Sequence, residues 1–331
     1  MTTYQKLVAV RSHDQLRSAT EIHSVELTPP KEGEILVKTR YAGVNAADYL
    51  MAAGRYLSPT PPPFDLGAEA CGEVVEVGAG VTEYQVGDAV MAIGGAGYRE
   101  YFSIPARRAL RVPSATPEVL TVGVSGLTAS IALEVVGEMK QNETVLVTAA
   151  AGGTGSFAVQ LAKLAGNHVL GTCSSPDKAD FLRSIGCDRP INYKQESLSE
   201  VLKQEYPKGM DIVFEGVGGK LFDTGVNALA VKGRLLVIGA ISEYEGGMEV
   251  VQQPRILYKL LYKSASIRAF WLMHYFQYAQ SHATRLFSLI AEGKLRAAVD
   301  ETRFVGVEGA LDAIEYMYRG ANTGKVVVSF V

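Results

Sequence analysis

The sequence predicts an α/β protein: a doubly wound parallel sheet joined to a second, β-rich, barrel-like domain. Three observations carry this. The first 120 or so residues read as short strands separated by Gly and Pro turns. From about Val122 strands alternate with helical patterns, the rhythm of a parallel sheet with crossover helices. The final stretch, "TRFVGVEGALDAIEYMYRGANTGKVVVSFV", reads strand, helix, strand and is expected to return to the first domain. The chain has 331 residues, 47% of them hydrophobic, enough for about two domains with sizeable cores. Residues 1–121 and 278–331 are therefore assigned to a discontinuous β-rich domain and residues 122–277 to the parallel-sheet domain.

The strands of the first domain are "GEILVKTRYAGV", "ACGEVVEVGAG", "GDAVMAIGGAG" and "YREYFSI". Between them, "SPTPPPFDLG" (58–67) is a proline-rich loop and not a linker, because strand patterns continue after it. In the second domain "ETVLVTA" is a buried strand. The helix after it places Phe157, Leu161, Leu164 and Ala165 on one face, with Gly166 where a C-terminal cap belongs. "NHVLGTC", "RPINY", "DIVFEGV", "GRLLVIGAI" and "ASIRAFWLM" follow as strands, and a helix is expected near Tyr275 to Glu292.

Composition removes several classes of function. A net charge of −3 and a pI near 6.0, with no basic run, give no nucleic-acid surface. Cys71, Cys173 and Cys187 are too few and too scattered for a disulfide framework, which points to a reducing compartment. The N-terminal "MTTYQKLVAVRSHDQLRS" is charged every few residues, unlike a signal peptide. The longest uncharged run, Thr144 to Ala162, has three glycines and a strand-turn-helix pattern, so it is not read as a membrane span. A soluble, cytoplasmic protein is expected.

The stretch "VLVTAAAGGTGSFAVQLAKLAG" carries the chemistry. In a G-x-G-x-x-G dinucleotide fingerprint its three key positions are Ala150, Gly152 and Gly155, so the first glycine is missing. Gly152, Gly153, Thr154 and Gly155 still follow a buried strand and open a helix whose first N–H groups would face a pyrophosphate. Gly152 would allow close backbone approach, Gly155 would let helix pack on strand, and Ala150 is tolerable if its φ stays negative. The next strand ends in "GTCSSPDK", without the acid that binds the adenosine ribose of NAD. Ser175 and Pro176 read as N-cap and first helical residue, which puts Lys178 in the first turn. A cation there opposes the helix dipole unless an anion sits nearby, and the 2′-phosphate of NADP would be that anion; the plain alternative is a solvated lysine paired with Asp177 or Asp180. Ser174 and Ser175 would join it. Tyr193 could flank the same phosphate or simply pack at a strand end.

The phrases "GVNAADYLMAAGRY", "VLVTAAAGGTG", "GTCSSPDK", "GCDRPINYK", "LKQEYPKGMDIVFEGVGG" and "NTGKVVV" together make the whole chain resemble the medium-chain dehydrogenase/reductases of the quinone-reductase and prostaglandin-reductase branch. The resemblance implies a Rossmann NADP-binding domain, a GroES-like substrate domain and a homodimer paired through the edge strand "SASIRAFWLM". It also implies no metal: zinc-dependent relatives place Cys where Asn45 stands and His where Ala68 stands, and neither residue completes a thiolate/imidazole zinc site. The five histidines show no metal-ligand spacing.

The same resemblance assigns residues. Tyr244 matches a tyrosine that meets the nicotinamide ribose and substrate, and Asn45 and Tyr56 match residues lining the substrate cleft. Ser125 and Thr128 match residues near the nicotinamide, and Asn322 matches a cofactor contact. Each has a plain structural alternative: Asn45 a turn, Tyr56 a cover for the proline loop, Tyr244 a surface aromatic. "AFWLMHYF" would wall the pocket with Trp271 and Tyr275 or belong to the core. Without a Lewis acid, conjugate reduction of an enone is less demanding than reduction of a simple ketone. The expected activity is therefore NADPH-dependent reduction of the C=C bond of α,β-unsaturated ketones, 15-keto prostaglandins or similar lipid enones. Quinone reduction on the same scaffold and NADPH binding without turnover are the alternatives.

Overall fold

A computed structural model of the chain describes residues 2–56, 61–95, 97–245, 250–252 and 255–331. The chain divides into two compact units, Met1–Val124 with Ala297–Val331, and Ser125–Arg296.

The first unit is built on a long central strand, Glu34–Gly43. One side pairs antiparallel with Glu69–Val77; the other pairs with Tyr101–Pro105 along its first half and with Val327–Ser329 at its end. Gly43 thereby lies between Glu69 and Val327. Phe304–Val305, Ala89–Ile93 and Leu110–Arg111 complete this sheet, and Thr20–Glu26, Thr3–Ala9 and Phe64–Asp65 form a separate three-stranded one. Phe64–Asp65 is part of the proline-rich stretch, of which residues 57–60 lie outside the described ones. The core gathers Leu7, Ile35, Val37, Tyr98, Phe102, Ile314 and Val328, so the C-terminal strand and helix are part of it.

The second unit has a six-stranded, all-parallel sheet in the order Arg189–Asn192, His168–Cys173, Thr144–Val147, Met210–Glu215, Leu229–Val237, Ser266–Ala269. Val145, Leu146 and Val147 are completely buried, as expected of strands covered on both faces. The chain starts in the middle and reverses direction between Thr144–Val147 and Met210–Glu215. Ligands of such sheets bind outside the carboxyl ends at that switch.

Two expectations need correction. The return to the first unit comes at Ala297, not at residue 278. The helix Ala279–Ala291 stays with the second unit because it packs on Leu127–Ile131: Nδ1 of His282 lies 2.7 Å from Oγ of Ser130, and Arg285 pairs with Glu134. Leu164 does not share the buried face of its helix; it is 49% exposed, while Phe157, Ala158, Leu161 and Ala162 face inward. Among the described residues one helical run, 117–136, is long and apolar enough to cross a membrane, and it is mostly buried inside the fold.

Candidate functional site

The glycine loop lies at the carboxyl end of Thr144–Val147. Gly152 caps the helix Gly153–Leu164 in extended conformation, so Gly153, Thr154 and Gly155 supply its first turn. A helix leaves its first N–H groups without intrahelical partners, which is the anion-binding property expected here. At Gly155 an added Cβ would fall 2.7 Å from the Cα of Ala150, so only glycine permits this approach of helix to loop. The residue with left-handed φ is Ala149, at +46°, and not Ala150. Ala150 is buried, and the room for its methyl comes from Gly171 on the neighbouring strand, where a Cβ would lie 2.8 Å from that of Ala150. The missing glycine is thus accommodated across the sheet.

The next strand, His168–Cys173, ends beside the loop: the N–H groups of Ala149 and Ala150 donate to Oγ1 and O of Thr172, both at 3.1 Å. Ser175 is the N-cap of the helix Pro176–Ser184, its Oγ accepting the Lys178 N–H at 3.3 Å, with Pro176 in the first turn. Lys178 is therefore in the first turn as expected. The backbone N–H of Tyr193 donates to the carbonyl of Cys173 at 3.1 Å, and its side chain is 48% exposed. Ser174, Ser175, Lys178 and Tyr193 thus gather at one place, at the carboxyl ends of adjacent strands. No carboxylate stands in residues 171–176. This arrangement fits a dinucleotide with an added phosphate on its adenosine ribose.

Tyr244 follows a short turn, Ile241–Glu243, after the strand Leu229–Val237. Its phenol oxygen accepts the N–H of Ala240 at 3.1 Å, so its own hydrogen points away from that amide. This loop rests on the one after Met210–Glu215 through Ser242 N–H to Val217 O (2.9 Å) and Gly219 N–H to Glu243 Oε1 (2.8 Å). Sequence reasoning missed what organises both. Glu215, wholly buried, accepts the N–H groups of Val217 and Gly218 at 2.9 and 3.0 Å and the Thr148 hydroxyl at 3.2 Å. Burial raises its carboxyl pKa. The signal was there in "FEGVGG": an acid inside an apolar strand, next to glycines.

Ser125 and Thr128 are both buried on an irregular helical stretch, where Gly123 (φ −49°, ψ −118°) departs from helical geometry. Phe270 stacks on Tyr275 with centroids 5.1 Å apart, while Trp271 meets His274 edge-on; Phe270 and Leu272 are buried.

The remaining candidates lie in the first unit. Tyr56 is half-buried after the helix Ala46–Ala52. The Asn322 side chain donates to the carbonyl of Gly324 at 2.8 Å, closing a turn. Asn45 opens the helix Ala46–Ala52 and belongs to a buried polar cluster. Its Oδ1 accepts from the ammonium of Lys325 at 2.7 Å, and its Nδ2 donates to Glu69 Oε1 at 3.1 Å and to Gly43 O at 3.2 Å. Lys325 Nζ lies 2.5 Å from Glu69 Oε1, with side chains 2% and 0% exposed. Asp48 accepts the Asn45 N–H at 2.8 Å and the Tyr98 hydroxyl at 2.7 Å through one oxygen, while its other oxygen is buried without a partner. Burial, outweighing those bonds, pushes its pKa up to about 6. Asn45 was legible as a candidate; Asp48, Glu69, Tyr98 and Lys325 were not. Both amide hydrogens of Asn45 have protein acceptors, which makes it a member of this cluster more than a donor to substrate. Among the described residues no group of three or more His, Cys, Asp or Glu side chains is placed to hold a metal ion.

Residues 31–114 match the alcohol dehydrogenase GroES-like domain, and residues 153–290 match the zinc-binding dehydrogenase family. The chain is 49% identical to mouse (Mus musculus) prostaglandin reductase-3, across 98% of this chain and 89% of that one. It is 43% identical to a probable quinone oxidoreductase of Leishmania amazonensis, across 99% and 98% of the two. The crystal structure of Escherichia coli quinone oxidoreductase complexed with NADPH superposes with a TM-score of 0.87 at 28% identity, covering 98% of this chain and all (100%) of that one. The chain belongs to the medium-chain dehydrogenase/reductase family, with a Rossmann-type parallel-sheet unit and a GroES-like β-rich unit.

Proposed function

We propose that the protein is an NADPH-dependent reductase of the C=C bond of α,β-unsaturated ketones, of the kind represented by 15-oxoprostaglandins. The observation that carries this is the grouping of a helix-opening glycine loop, an acid-free strand end and first-turn Lys178 around one sheet edge, in a chain 49% identical to prostaglandin reductase-3. The first-turn N–H groups at Gly153, Thr154 and Gly155 would hold the pyrophosphate. Ser174, Ser175, Lys178 and Tyr193 would hold the 2′-phosphate, and Ser125, Thr128 and Asn322 would contact the rest of the cofactor. The bound nicotinamide supplies hydride. Tyr244 would donate where negative charge develops on the substrate oxygen. Tyr56 would line the substrate site, and Asn45 would shape it from within the polar cluster.

Zinc-independence is part of this reading. The carboxamide where zinc relatives carry a cysteine is held by an ammonium, a donor set unsuited to a zinc ion. Metal analysis of purified protein should find no stoichiometric zinc, and chelators should leave turnover intact. A homodimer through the exposed edge of Ser266–Ala269 is also proposed, because such an edge needs covering; a monomeric mass at all concentrations would contradict it. The three buried thiols suit a reducing, cytoplasmic setting.

A second reading, quinone reduction, is favoured by the 43% identity to a probable quinone oxidoreductase. The deciding experiment follows NADPH oxidation with long-chain enones, short-chain enones and quinones and identifies the products. Saturated ketones as the dominant product support the enone reading, and hydroquinones the second. Tight NADPH binding with no turnover of any of these would leave only a binding protein.

A further inference from the structure

Glu69 and Lys325 are the most deeply buried opposite charges among the described residues, and the fold is shaped to hold them. The strand register sets Glu69 beside Gly43, where an added Cβ would come 2.8 Å from the Glu69 Cδ; a Cβ on Gly123 would collide with the other carboxylate oxygen. Two glycines therefore make the slot for one carboxylate. Its Oε1 faces the Lys325 ammonium and the Asn45 amide, and its Oε2 accepts the backbone N–H of Val124 at 2.7 Å. Desolvating two ions commonly offsets the attraction between them, and a well-packed apolar substitute is often neutral or stabilising. Stability alone is a weak reason for this pair.

Its geometry offers a better one. The three segments tied together are the start of the helix Ala46–Ala52, the run ending at Val124, and the turn before Val327–Ser329. They carry Asn45, lead directly into Ser125, and follow three residues after Asn322. We propose that Lys325 is a positioning residue for the reduction: its ammonium fixes the Glu69 carboxylate and the Asn45 carboxamide in one arrangement, and through them the backbone on which candidate cofactor and substrate contacts are mounted. This rests on the reductase reading above. Lys325 acts through Asn45 and Glu69 and needs no contact with the reacting atoms.

The test is the double variant Lys325→Met with Glu69→Gln, which removes both charges of the pair together, so that neither partner is left as an unpaired ion. It should fold with near wild-type melting, keep NADPH affinity within about threefold, and lose at least tenfold in kcat with a long-chain enone such as 3-nonen-2-one. The kinetic isotope effect with NADPH deuterated at the nicotinamide C4 should rise, because the hydride step itself has slowed; a merely structural role would lower the active fraction and leave that effect unchanged. Should the double variant fail to fold, Asn45→Ala, which keeps the ion pair, carries the same expectation. A folded variant with kcat within twofold of wild type and an unchanged isotope effect overturns the proposal. A wild-type protein that reduces neither enones nor quinones overturns the reductase reading and this inference with it.

Discussion

The carboxyl edge of the parallel sheet and the polar cluster of the first unit are built on opposite plans. The sheet edge is assembled from short contiguous motifs: Gly152 to Gly155, Ser174 to Lys178, Tyr193, and Ile241 to Tyr244. Its hydrogen bonds are mostly backbone groups and caps, and Tyr193 remains substantially exposed. The cluster is assembled from Asn45, Asp48, Glu69, Tyr98, Val124 and Lys325, which come from several segments far apart in the chain and are all buried except the backbone link at Val124. One region is suited to grip a ligand that arrives from water, where helix-end dipoles and a cation supply the attraction. The other fixes geometry from the inside, where an unmade hydrogen bond is costly and few alternatives exist.

The largest expected effect would break the first half of that contrast. Lys178→Glu should weaken NADPH by on the order of 2–4 kcal/mol, since a charge-assisted contact is lost and a repulsion gained, and should leave NADH nearly unaffected. Equal losses for both cofactors, measured by titration, would remove Lys178 as the phosphate selector. Asp48→Asn probes the second half. A carboxyl whose folded-state pKa is raised stabilises the fold below its ordinary value of 3.8, and that contribution is lost as pH rises through about 6. The variant cannot ionise, so it should gain on wild type by up to roughly 3 kcal/mol between pH 4 and pH 8 in urea unfolding. A difference that stays flat with pH would mean Asp48 is not held in a strongly desolvating site.

Tyr244→Phe should lower kcat by roughly tenfold to several hundredfold, the usual cost of one oxyanion donor. NADPH affinity, measured separately, should change little. A near-normal kcat would make the hydroxyl a loop anchor for Ala240 and nothing more. Gly155→Ala places a methyl against the backbone of Ala149 and Ala150, and neither can yield without moving the loop. It should lower stability by about 1–3 kcal/mol and weaken both NADPH and NADH alike, in contrast to Lys178→Glu. Unchanged melting would show that the loop has slack the geometry does not suggest.

Features set by near neighbours along the chain were legible. Gly166 ends its helix at φ +81°, Ser175 and Pro176 open theirs, and the alternating rhythm after Val122 gave the parallel sheet and its edge strand. Where distant packing decides, reading failed. Leu164 has the right spacing for a buried face, yet at the end of the helix it is 49% exposed, while Ala158 and Ala162 are buried. The helix Ala279–Ala291 follows the last strand of the sheet and stays with it through His282 and Arg285, a choice no local pattern announces. Ala150 was recognised as the irregular position in the fingerprint, yet the compensating residue, Gly171, sits on another strand.

By itself, then, the sequence determined the two-part α/β architecture, the glycine loop and the capped helix that presents Lys178. All of these follow from steric and hydrogen-bonding preferences acting within a few residues. Only the tertiary structure decided what surrounds Asn45. Because Gly43 pairs with Glu69 on one side and Val327 on the other, a carboxylate on one strand, a carboxamide just after the central strand and an ammonium just before the last one converge on one buried point. Sheet register, a long-range property, selects those partners, and the low polarisability of the interior is what binds them to one arrangement.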